Sequence, residues 1–314
     1  MDVTIAICTW NQAGLLDRTL RRLAELRVPD GLTWEVLVVD NNCTDDTPTV
    51  VSRYADRLPV TRLLEPVQGL SNARNCALKH AAGDLLIYID DDVLVDDDWL
   101  DAYAVAIARW PNAAYFGGVI VPKYEGELPT WFRGHHLLST NVGEAHDLGA
   151  TERQLGPGEF PWGCNMAFRR TAVQGFTFRP ELGRIGDDRA ACEDEVFCQE
   201  LADAGMHGVW LPAATIQHIV GPKRLTLPFV RRSFIGRGVT DVRMSGWDTE
   251  GVSLLFGVPR WMLLPAAKAH ARYLWQRATR NPAWIDSYIE AARSWGALSE
   301  YRRYARERRI QPLT

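Results

Sequence analysis

Apolar runs and amphipathic segments alternate along the first ninety residues. The apolar runs are residues 3–8, 34–39, 60–64 and 85–89, each rich in valine, isoleucine or leucine. Between them, apolar residues recur three and four positions apart and predict helices over about residues 12–26, 45–54 and 69–82. Asn11 is the expected N-cap of the first helix, and Thr44 or Asp45 that of the second. Continuous apolar strands separated by helices predict an α/β fold with a mostly parallel, Rossmann-like sheet flanked by helices.

Three of the apolar runs end in polar residues. The residues at these ends are Thr9, Trp10 and Asn11, then Asp40, Asn41 and Asn42, then Asp90, Asp91 and Asp92. Ligands of open parallel sheets bind outside the carboxyl ends of the strands. Three adjacent carboxylates repel one another, and oxygen-rich sites suit Mg²⁺ or Mn²⁺. The pattern therefore predicts a cation and ligand site here, with a solvated acidic loop as the alternative.

The pattern is less regular beyond residue 98. It predicts a helix at 99–110, a strand at 115–121, a loop-rich stretch to 160 and a strand at 161–169. A helix at 193–204 and a strand at 207–211 follow, and the strand-like run 214–217 ends at His218. After Gly221 the chain becomes helical, basic and rich in tryptophan. Of the second acidic run, Asp96 to Asp98, one residue is expected to be only a helix cap.

Six segments resemble those of family 2 glycosyltransferases with the GT-A fold. They are ICTWN (7–11), VVDNN (38–42), GLSNARN (69–75), IDDDV (89–93), GCNMAFR (163–169) and CEDEVF (192–197). They occur in that family's order and span about residues 3–218. The resemblance implies a catalytic domain at 1–220, with a nucleotide-binding part to about 121 and an acceptor-binding part from 122. Residues 221–314 would form a helical C-terminal region.

The resemblance also implies a reaction and a donor site. Such enzymes move a sugar from a nucleoside diphosphate to an acceptor, usually with inversion, and UDP-sugars are the favoured donors. The implied nucleotide-binding residues are Thr9, Trp10, Asn11, Asp40, Arg74, Asp90 and Asp91. Asp92 would bind Mn²⁺ or Mg²⁺, and a neutral His218 imidazole would complete that site. The metal would act as a Lewis acid on the departing diphosphate. The acceptor is not identified by the sequence.

An inverting transfer needs a carboxylate that takes the proton of the attacking acceptor. Asp194 is the candidate, because it shares a helical face with Phe197, Cys198 and Leu201 at the start of a predicted helix. A helix-capping acid is the alternative role, and Glu193 and Glu195 are the alternative bases. By resemblance, Glu193 contacts the acceptor. Trp162 and Asn165, on the acceptor-side strand, would stack on and hydrogen-bond to a sugar.

Charge is distributed unevenly along the 314 residues, although the net charge is only −4. Residues 221–314 contain 17 Lys and Arg against 7 Asp and Glu, while the first 220 residues have a net charge of −14. A basic tail on an acidic body indicates an anionic partner, with a solvated helical surface as the alternative. Pro259 and Pro265 are expected to interrupt a long interfacial helix. A peripheral membrane contact, a helical hairpin and a homodimer contact therefore stay open, and no motif indicates nucleic acid.

The remaining composition favours a cytoplasmic protein. The six cysteines include no Cys-x-x-Cys pair, which is typical of free thiols in a reducing compartment. The uncharged stretch 251–259 is too short to cross a bilayer, and no basic segment precedes the first strand as it would in a signal peptide. Any membrane contact would then be peripheral, at the inner face.

Two other classes of function compete with a transferase. A nucleotidyltransferase could use the same kind of sheet and acidic residues, but it would need a basic triphosphate loop near the N-terminus. The turn from Thr9 to Leu16 contains no Lys or Arg, which counts against it. A non-catalytic sugar-nucleotide-binding protein is the third hypothesis. The presence of Asp40, Asp92 and Asp194 together favours an active enzyme.

Overall fold

The computed structural model describes residues 1–186, 192–245 and 251–310, with side chains to residue 307. The strands are β1 Val3–Thr9, β2 Trp34–Asp40, β3 Val60–Leu64, β4 Leu85–Asp90, β5 Val93–Val95, β6 Tyr115–Tyr124, β7 Arg153–Gln154, β8 Asn165–Arg169, β9 Gly208–Val220, β10 Leu254–Leu255 and β11 Val258–Pro259. The α-helices are α1 Ala13–Ala24, α2 Thr47–Ser52, α3 Leu70–His80, α4 Trp99–Arg109, α5 His136–Asn141, α6 Glu193–Asp203, α7 Leu227–Met244, α8 Arg260–Ala278 and α9 Trp284–Ile310.

One mixed sheet organises the first two thirds of the chain. Its strand order is β3-β2-β1-β4-β8-β6-β9-β5, and β7 pairs with β9 outside this path. The first four strands are parallel, as the sequence predicts, while β8 is antiparallel to both β4 and β6. In the register, Thr9 lies beside Asp40 and Cys8 beside Asp90. The polar residues that follow the three strands therefore emerge at one edge of the sheet.

Both faces of this sheet are buried. Val3, Ile5 and Ile7 belong to one apolar cluster, which includes residues of α1, α2 and α4. Ala6 points to the opposite face, into a cluster that includes residues of α3 and α6. Because successive side chains of a strand alternate between faces, a strand covered on both sides must be apolar throughout. This requirement explains the continuous apolar runs of the sequence.

The Asp45 carboxylate holds the starts of the first two helices. One oxygen accepts the Ala13 N–H at 2.9 Å, and the other accepts the Thr47 N–H at 3.2 Å and the Thr47 hydroxyl at 2.6 Å. The predicted cap of α1 by Asn11 is wrong. Asn11 has a φ of 54°, and its side-chain oxygen instead accepts the Thr44 N–H at 2.7 Å. An acid distant in sequence supplies the negative charge that the helix start favours.

Two acceptor-side strands differ from their predicted limits. β8 begins at Asn165 rather than at residue 161, because the Asn165 N–H donates to the Trp162 carbonyl in a tight turn. The predicted strands 207–211 and 214–217 form a single strand, β9, whose pairing with β6 shifts register between Gly118 and Ile120. His218 consequently lies inside β9, opposite Val93 of β5.

The described residues form two compact units. The first contains Met1–Glu125, Gly143–Gly186 and Glu193–Val220, and therefore the sheet. The second contains Gly126–Val142, Cys192 and the described residues from Gly221 onward. The segment Gly126–Val142 thus belongs to the second unit, although it lies within the expected acceptor-binding part, residues 122–220. The functional division at residue 220 stays a prediction.

Three long helices form most of the second unit. α7 and α9 approach closely, since a Cβ on Gly238 would lie 2.0 Å from the Arg293 carbonyl and one on Gly296 would lie 2.0 Å from that of Ile235. α8 is continuous through Pro265, so the predicted interruption is wrong. Pro265 removes only one N–H donor near the helix start, and Pro259 precedes the first turn, where no donor is needed.

Candidate active site

The carboxyl ends of β1 and β2 form the expected nucleotide side of the site. The Thr9 hydroxyl donates to a carboxylate oxygen of Asp91 at 2.6 Å. Asp40 is buried, and its two oxygens accept the Cys43 N–H at 2.8 Å and an Arg62 N–H at 2.6 Å. Trp10 is half-buried in the turn after β1. The structure therefore groups these predicted residues at one edge of the sheet.

His218 lies between two carboxylates. Its Nε2 is 3.3 Å from an Asp92 oxygen and 3.4 Å from a Glu144 oxygen. Its Nδ1 is 3.0 Å from the Gly143 carbonyl. Because a carbonyl only accepts, Nδ1 carries the proton, and a neutral ring presents its lone pair at Nε2. A histidine oriented by a backbone carbonyl in this way is typical of metal-ligating imidazoles.

Glu144 is the residue of this cluster that the sequence does not reveal. It follows Gly143 in the loop-rich stretch, has a φ of 59° and lies 3.8 Å from Arg184. Its carboxylate lies within 4.8 Å of ligand atoms of Asp90 and Cys164. No motif or periodicity marks the position. Glu144 reaches the site through tertiary structure, because an isolated β-bridge pairs the nearby His146 with Ile120 of β6.

Asp90 shows how crowded the negative charge is at this edge. Burial, and then the neighbouring Asp92 carboxylate, raise the pKa of Asp90 to about 6. Like charges at short distance disfavour ionisation unless a cation compensates them. Carboxylate oxygens suit Mn²⁺ or Mg²⁺, and a neutral imidazole is a common metal ligand. Ligand atoms of Asp90, Glu144 and Cys164 lie within 4.8 Å of one another, and His218 lies beside Glu144 and Asp92, so this edge is a candidate cation site.

Asp194 is the second residue of α6. One carboxylate oxygen accepts the Gly163 N–H at 2.8 Å, and the other accepts the Glu195 N–H at 2.9 Å. Phe197, Cys198 and Leu201 share its helical face and are fully buried, as their spacing predicts. Asp194 itself is only half-buried, so its carboxylate is held by two N–H groups and remains accessible to a substrate.

Arg74 and Glu193 form a buried ion pair, with an Nη1 to Oε1 distance of 2.5 Å. Arg74 is 3% exposed and Glu193 is 2% exposed, so neither side chain lies at a surface where it would meet the nucleotide or the acceptor as expected. Burial raises the pKa of Glu193 to about 7, although Arg74 acts to lower it. A Cβ on Gly163 would lie 2.1 Å from the Arg74 guanidinium, so a larger residue there would displace that group. Asp194 also acts electrostatically on Arg74, so the ion pair lies next to the candidate base.

Asn165 has a structural position rather than the expected place beside a sugar. Its side-chain oxygen accepts hydrogen bonds from Trp99 Nε1 and the Tyr103 hydroxyl, both at 3.0 Å. Its amide N–H groups donate to the Val119 and Ala214 carbonyls. The residue is fully buried, and its four hydrogen bonds join α4, β6 and β9. Every group of the amide that can form a hydrogen bond is therefore used within the fold.

Trp162 is half-buried beside this strand, and the His146 ring stacks on it with centroids 4.5 Å apart and planes 10° from parallel. His146 Nε2 is 3.1 Å from the Phe160 carbonyl, and burial lowers its pKa. The stacked ring fixes the orientation of the indole. Trp162 remains the expected sugar-facing aromatic residue, and His146 is a second residue that sequence reasoning does not identify.

Cys164 is a buried residue among the carboxylates of the site. Its pKa is raised well above the usual range by burial and by the negative charges of four carboxylates around it. These belong to Asp90, Glu144, Asp92 and Asp194. The carboxylates of the candidate cation site and the candidate base therefore all lie close enough to one buried thiol to act on it electrostatically. A thiol so disfavoured as thiolate is not a nucleophile.

A sheet with a parallel half, acidic residues at its strand ends and a separate carboxylate at the start of α6 are typical of glycosyltransferases of the GT-A type. The chain belongs to glycosyl transferase family 2, whose model matches residues 4–176, more than half of the sequence. The family resemblance predicted from the sequence is confirmed, and five of its six segments lie within the matched residues, while CEDEVF (192–197) lies beyond them.

One relative and two solved structures show the extent of the similarity. The chain is 29% identical over 258 residues to the succinoglycan biosynthesis protein ExoM of Rhizobium meliloti (strain 1021), covering 80% of this chain and 78% of that protein. The mannosyltransferase PcManGT from Pyrobaculum calidifontis, in complex with GDP-Man and Mn²⁺, has a TM-score of 0.56 and 21% identity, over 99% of this chain and 76% of its own. S. aureus TarS 1–349 with UDP-GlcNAc has a TM-score of 0.52 and 16% identity, over 97% and 92%. The structural likenesses establish the fold.

Proposed function

We propose that the protein transfers a sugar from a nucleoside diphosphate to an acceptor nucleophile, with inversion at the anomeric carbon. The observation that carries this proposal is the surroundings of Cys164, where the carboxylates of the candidate cation cluster and the separate carboxylate of Asp194 all lie near one buried thiol. A displacement from the side opposite the leaving group needs these two functions on opposite sides of the sugar. Membership of the family supports the reaction class.

The donor would bind at the ends of β1, β2 and β4. Thr9, Trp10, Asn11 and Asp40 would form the base pocket, and the indole of Trp10 would stack on the base. Asp90 and Asp91 would face the ribose and diphosphate. We favour a uridine diphosphate donor, which agrees with the TarS complex with UDP-GlcNAc, whereas PcManGT was solved with GDP-Man.

Asp92, His218 and Glu144 would hold a Mn²⁺ or Mg²⁺ ion. When bound, the ion supplies positive charge that neutralises the departing diphosphate. The position of the donors supports this assignment, because an oxygen of Asp92 and an oxygen of Glu144 each lie within 3.4 Å of His218 Nε2. PcManGT, which has the same fold, contains Mn²⁺ in its complex. Arg184, beside Glu144, is a further positive group at this edge.

Asp194 would be the general base. The two N–H groups that fix its carboxylate hold it as an acceptor of a proton from the attacking hydroxyl. Gly163 allows the backbone to approach both Asp194 and Arg74 closely. Trp162 would stack on a sugar ring of the acceptor or the donor. Glu193 is buried under this site and is assigned a supporting role.

A donor panel tests the proposed reaction without knowledge of the acceptor. The full chain is incubated with UDP-, GDP- and TDP-sugars, with Mn²⁺ or after chelation, and nucleoside diphosphate release is measured. We expect slow hydrolysis of one donor, most strongly with UDP, dependent on the metal. The first sugar product, observed by NMR before mutarotation, should have the opposite anomeric configuration to the donor.

Three results would contradict the proposal. A retained configuration would exclude the inverting reaction. Release of pyrophosphate from a nucleoside triphosphate and a sugar phosphate would identify a nucleotidyltransferase. Binding of a sugar nucleotide with no turnover in the presence of candidate acceptors would favour a non-catalytic binding protein.

A further inference from the structure

The outward face of α8 exposes large apolar side chains. Trp261, Leu264 and Trp275 are 66%, 62% and 62% exposed, although residues of this type are normally covered. The opposite side of the helix is packed, with Ala266 and Ala269 buried. Phe256, at the tip of the β10–β11 hairpin that immediately precedes the helix, is 77% exposed. The second unit therefore presents an apolar surface, here called the α8 surface.

Cations lie among these apolar side chains. Trp261, Leu264, Lys268, Arg272 and Trp275 follow one another at spacings of three and four residues, so they form one stripe along the helix. With a rise of 1.5 Å per residue, the stripe is about 21 Å long. Arg260 is exposed at the beginning of the helix and Arg277 near its end. Exposed tryptophans are enriched where proteins meet a membrane interface, and long basic side chains beside them can extend to the lipid headgroups.

The charge of this region selects among possible partners. Residues 251–285 contain five Lys and Arg and no Asp or Glu. In a symmetric dimer through this face, two such segments would meet and repel each other. An anionic bilayer surface offers the opposite charge and an apolar layer for the indoles. Within the described residues, no helix is long and apolar enough to cross a membrane. The match is therefore to the surface of a bilayer.

We propose that the α8 surface docks the protein onto a bilayer that contains anionic phospholipids. Phe256, Trp261, Leu264 and Trp275 enter the boundary between headgroups and acyl chains. Arg260 and Lys268 pair with lipid phosphates. Arg272 is also available to the lipid, because its ion pair with Glu290 at 3.0 Å is about half exposed on both sides and is weak. This surface belongs to the second unit and does not depend on the proposed reaction.

Vesicle sedimentation tests the proposal. The full chain is mixed with vesicles of phosphatidylcholine alone, or with phosphatidylglycerol added, at low and high salt. We expect binding only to the anionic vesicles and loss of binding at high salt. Trp261→Ser with Trp275→Ser should lower the partition coefficient about 100-fold, since each indole loses its apolar contact. Arg260→Gln with Lys268→Gln should lower it about 25-fold, or about fivefold per cation.

The matched control removes one apolar and one cationic side chain from the first unit. Leu64→Ser with Lys79→Gln, both exposed, should bind vesicles like the wild type. Asp194→Asn, which removes the proposed general base, should also bind vesicles like the wild type. Vesicle binding therefore tests docking independently of the proposed reaction. Circular dichroism establishes that each variant is folded.

Two outcomes would overturn the proposal. The first is equal sedimentation of the wild type with neutral and anionic vesicles, or no sedimentation with either. The second is a wild-type dimer in analytical ultracentrifugation that Trp261→Ser with Trp275→Ser converts to a monomer, because the α8 surface would then be covered by a second copy of the chain.

Discussion

Asp194→Asn is expected to lower the turnover number by about 10²- to 10⁴-fold, the range typical of a lost general base. The substitution keeps the shape of the side chain, and the remaining carbonyl oxygen can still accept the Gly163 N–H that Asp194 accepts at 2.8 Å. Donor binding should therefore stay within about twofold of the wild type, because Asp194 acts on the acceptor proton and not on the nucleotide. Steady-state kinetics with the donor found in the panel, together with calorimetric donor binding, measure both quantities.

Glu195→Gln is the matched control for this prediction. Glu195 is the next residue of α6, carries the same charge and is one of the alternative bases named from the sequence. Its replacement should leave the turnover number within about threefold of the wild type. If Glu195→Gln loses activity while Asp194→Asn keeps it, the roles of the two acids are reversed. If both variants remain active, the base lies elsewhere.

Arg74→Met is expected to destabilise the protein in a pH-dependent manner. The free energy of unfolding should fall by about 3–5 kcal/mol near pH 8, the cost of leaving a buried charge without its partner. Near pH 5 the loss should be small, because Glu193 can then take up a proton and become neutral. Urea unfolding at pH 5, 6, 7 and 8 measures the free energy of unfolding of the variant and of the wild type. Their difference isolates the effect of Arg74, because distant groups titrate alike in both proteins.

The direction of this pH dependence follows from Glu193. Its pKa of about 7 lies above the ordinary value of 4.5, so folding favours the protonated carboxyl. The stabilisation from this group is complete below about pH 4.5 and is lost as the pH rises through 7. Without the Arg74 charge the pKa of Glu193 rises further. The free energy of unfolding of Arg74→Met therefore continues to fall above pH 7, where the free energy of unfolding of the wild type levels off.

A double variant provides the control. Glu193→Gln combined with Arg74→Met removes both the cation and the titrating carboxyl. The double variant should therefore not show the additional loss of stability above pH 7 that is expected for Arg74→Met. A loss in Arg74→Met that is the same at every pH would show that Glu193 does not titrate against Arg74.

The parallel half of the sheet and its polar edge are predictable from the sequence. A strand that is buried on both faces must be apolar at every position, which makes β1, β2 and β4 visible as short uninterrupted runs. The ends of the runs then place Thr9, Asp40 and Asp90 at one edge. The prediction depends only on local pattern and on a general property of parallel sheets, and the register confirms it.

The groups that the sequence does not place are those positioned by distant contacts. Glu144 reaches His218 from an irregular loop, so no periodicity marks it. Asp45 caps a helix that begins 32 residues earlier, a distance at which local capping rules do not apply. Glu193 turns inward because Arg74, 119 residues away, offers a buried partner. In each case the deciding partner is distant in sequence and becomes a neighbour only through the sheet.

Asn165 illustrates a second limit of sequence reasoning. Its position in a segment typical of the family implies contact with a substrate, but its amide is used by Trp99, Tyr103 and two carbonyls. A segment typical of a family can thus reflect the hydrogen bonds of a buried strand rather than the chemistry of the site. Only the structure separates these two roles.

Calorimetric titration of nucleoside diphosphates in the presence of Mn²⁺ tests whether the polar edge of the sheet binds a diphosphate through a cation. The wild type is compared with Asp92→Asn, Glu144→Gln and the matched control Asp98→Asn, an exposed residue just before α4. We predict that one diphosphate, favoured to be UDP, binds the wild type and Asp98→Asn only with the metal. Asp92→Asn and Glu144→Gln should weaken that binding at least about tenfold. Metal-independent binding, or equal binding by Asp92→Asn and the wild type, would contradict a cation-assisted diphosphate site at this edge of the sheet.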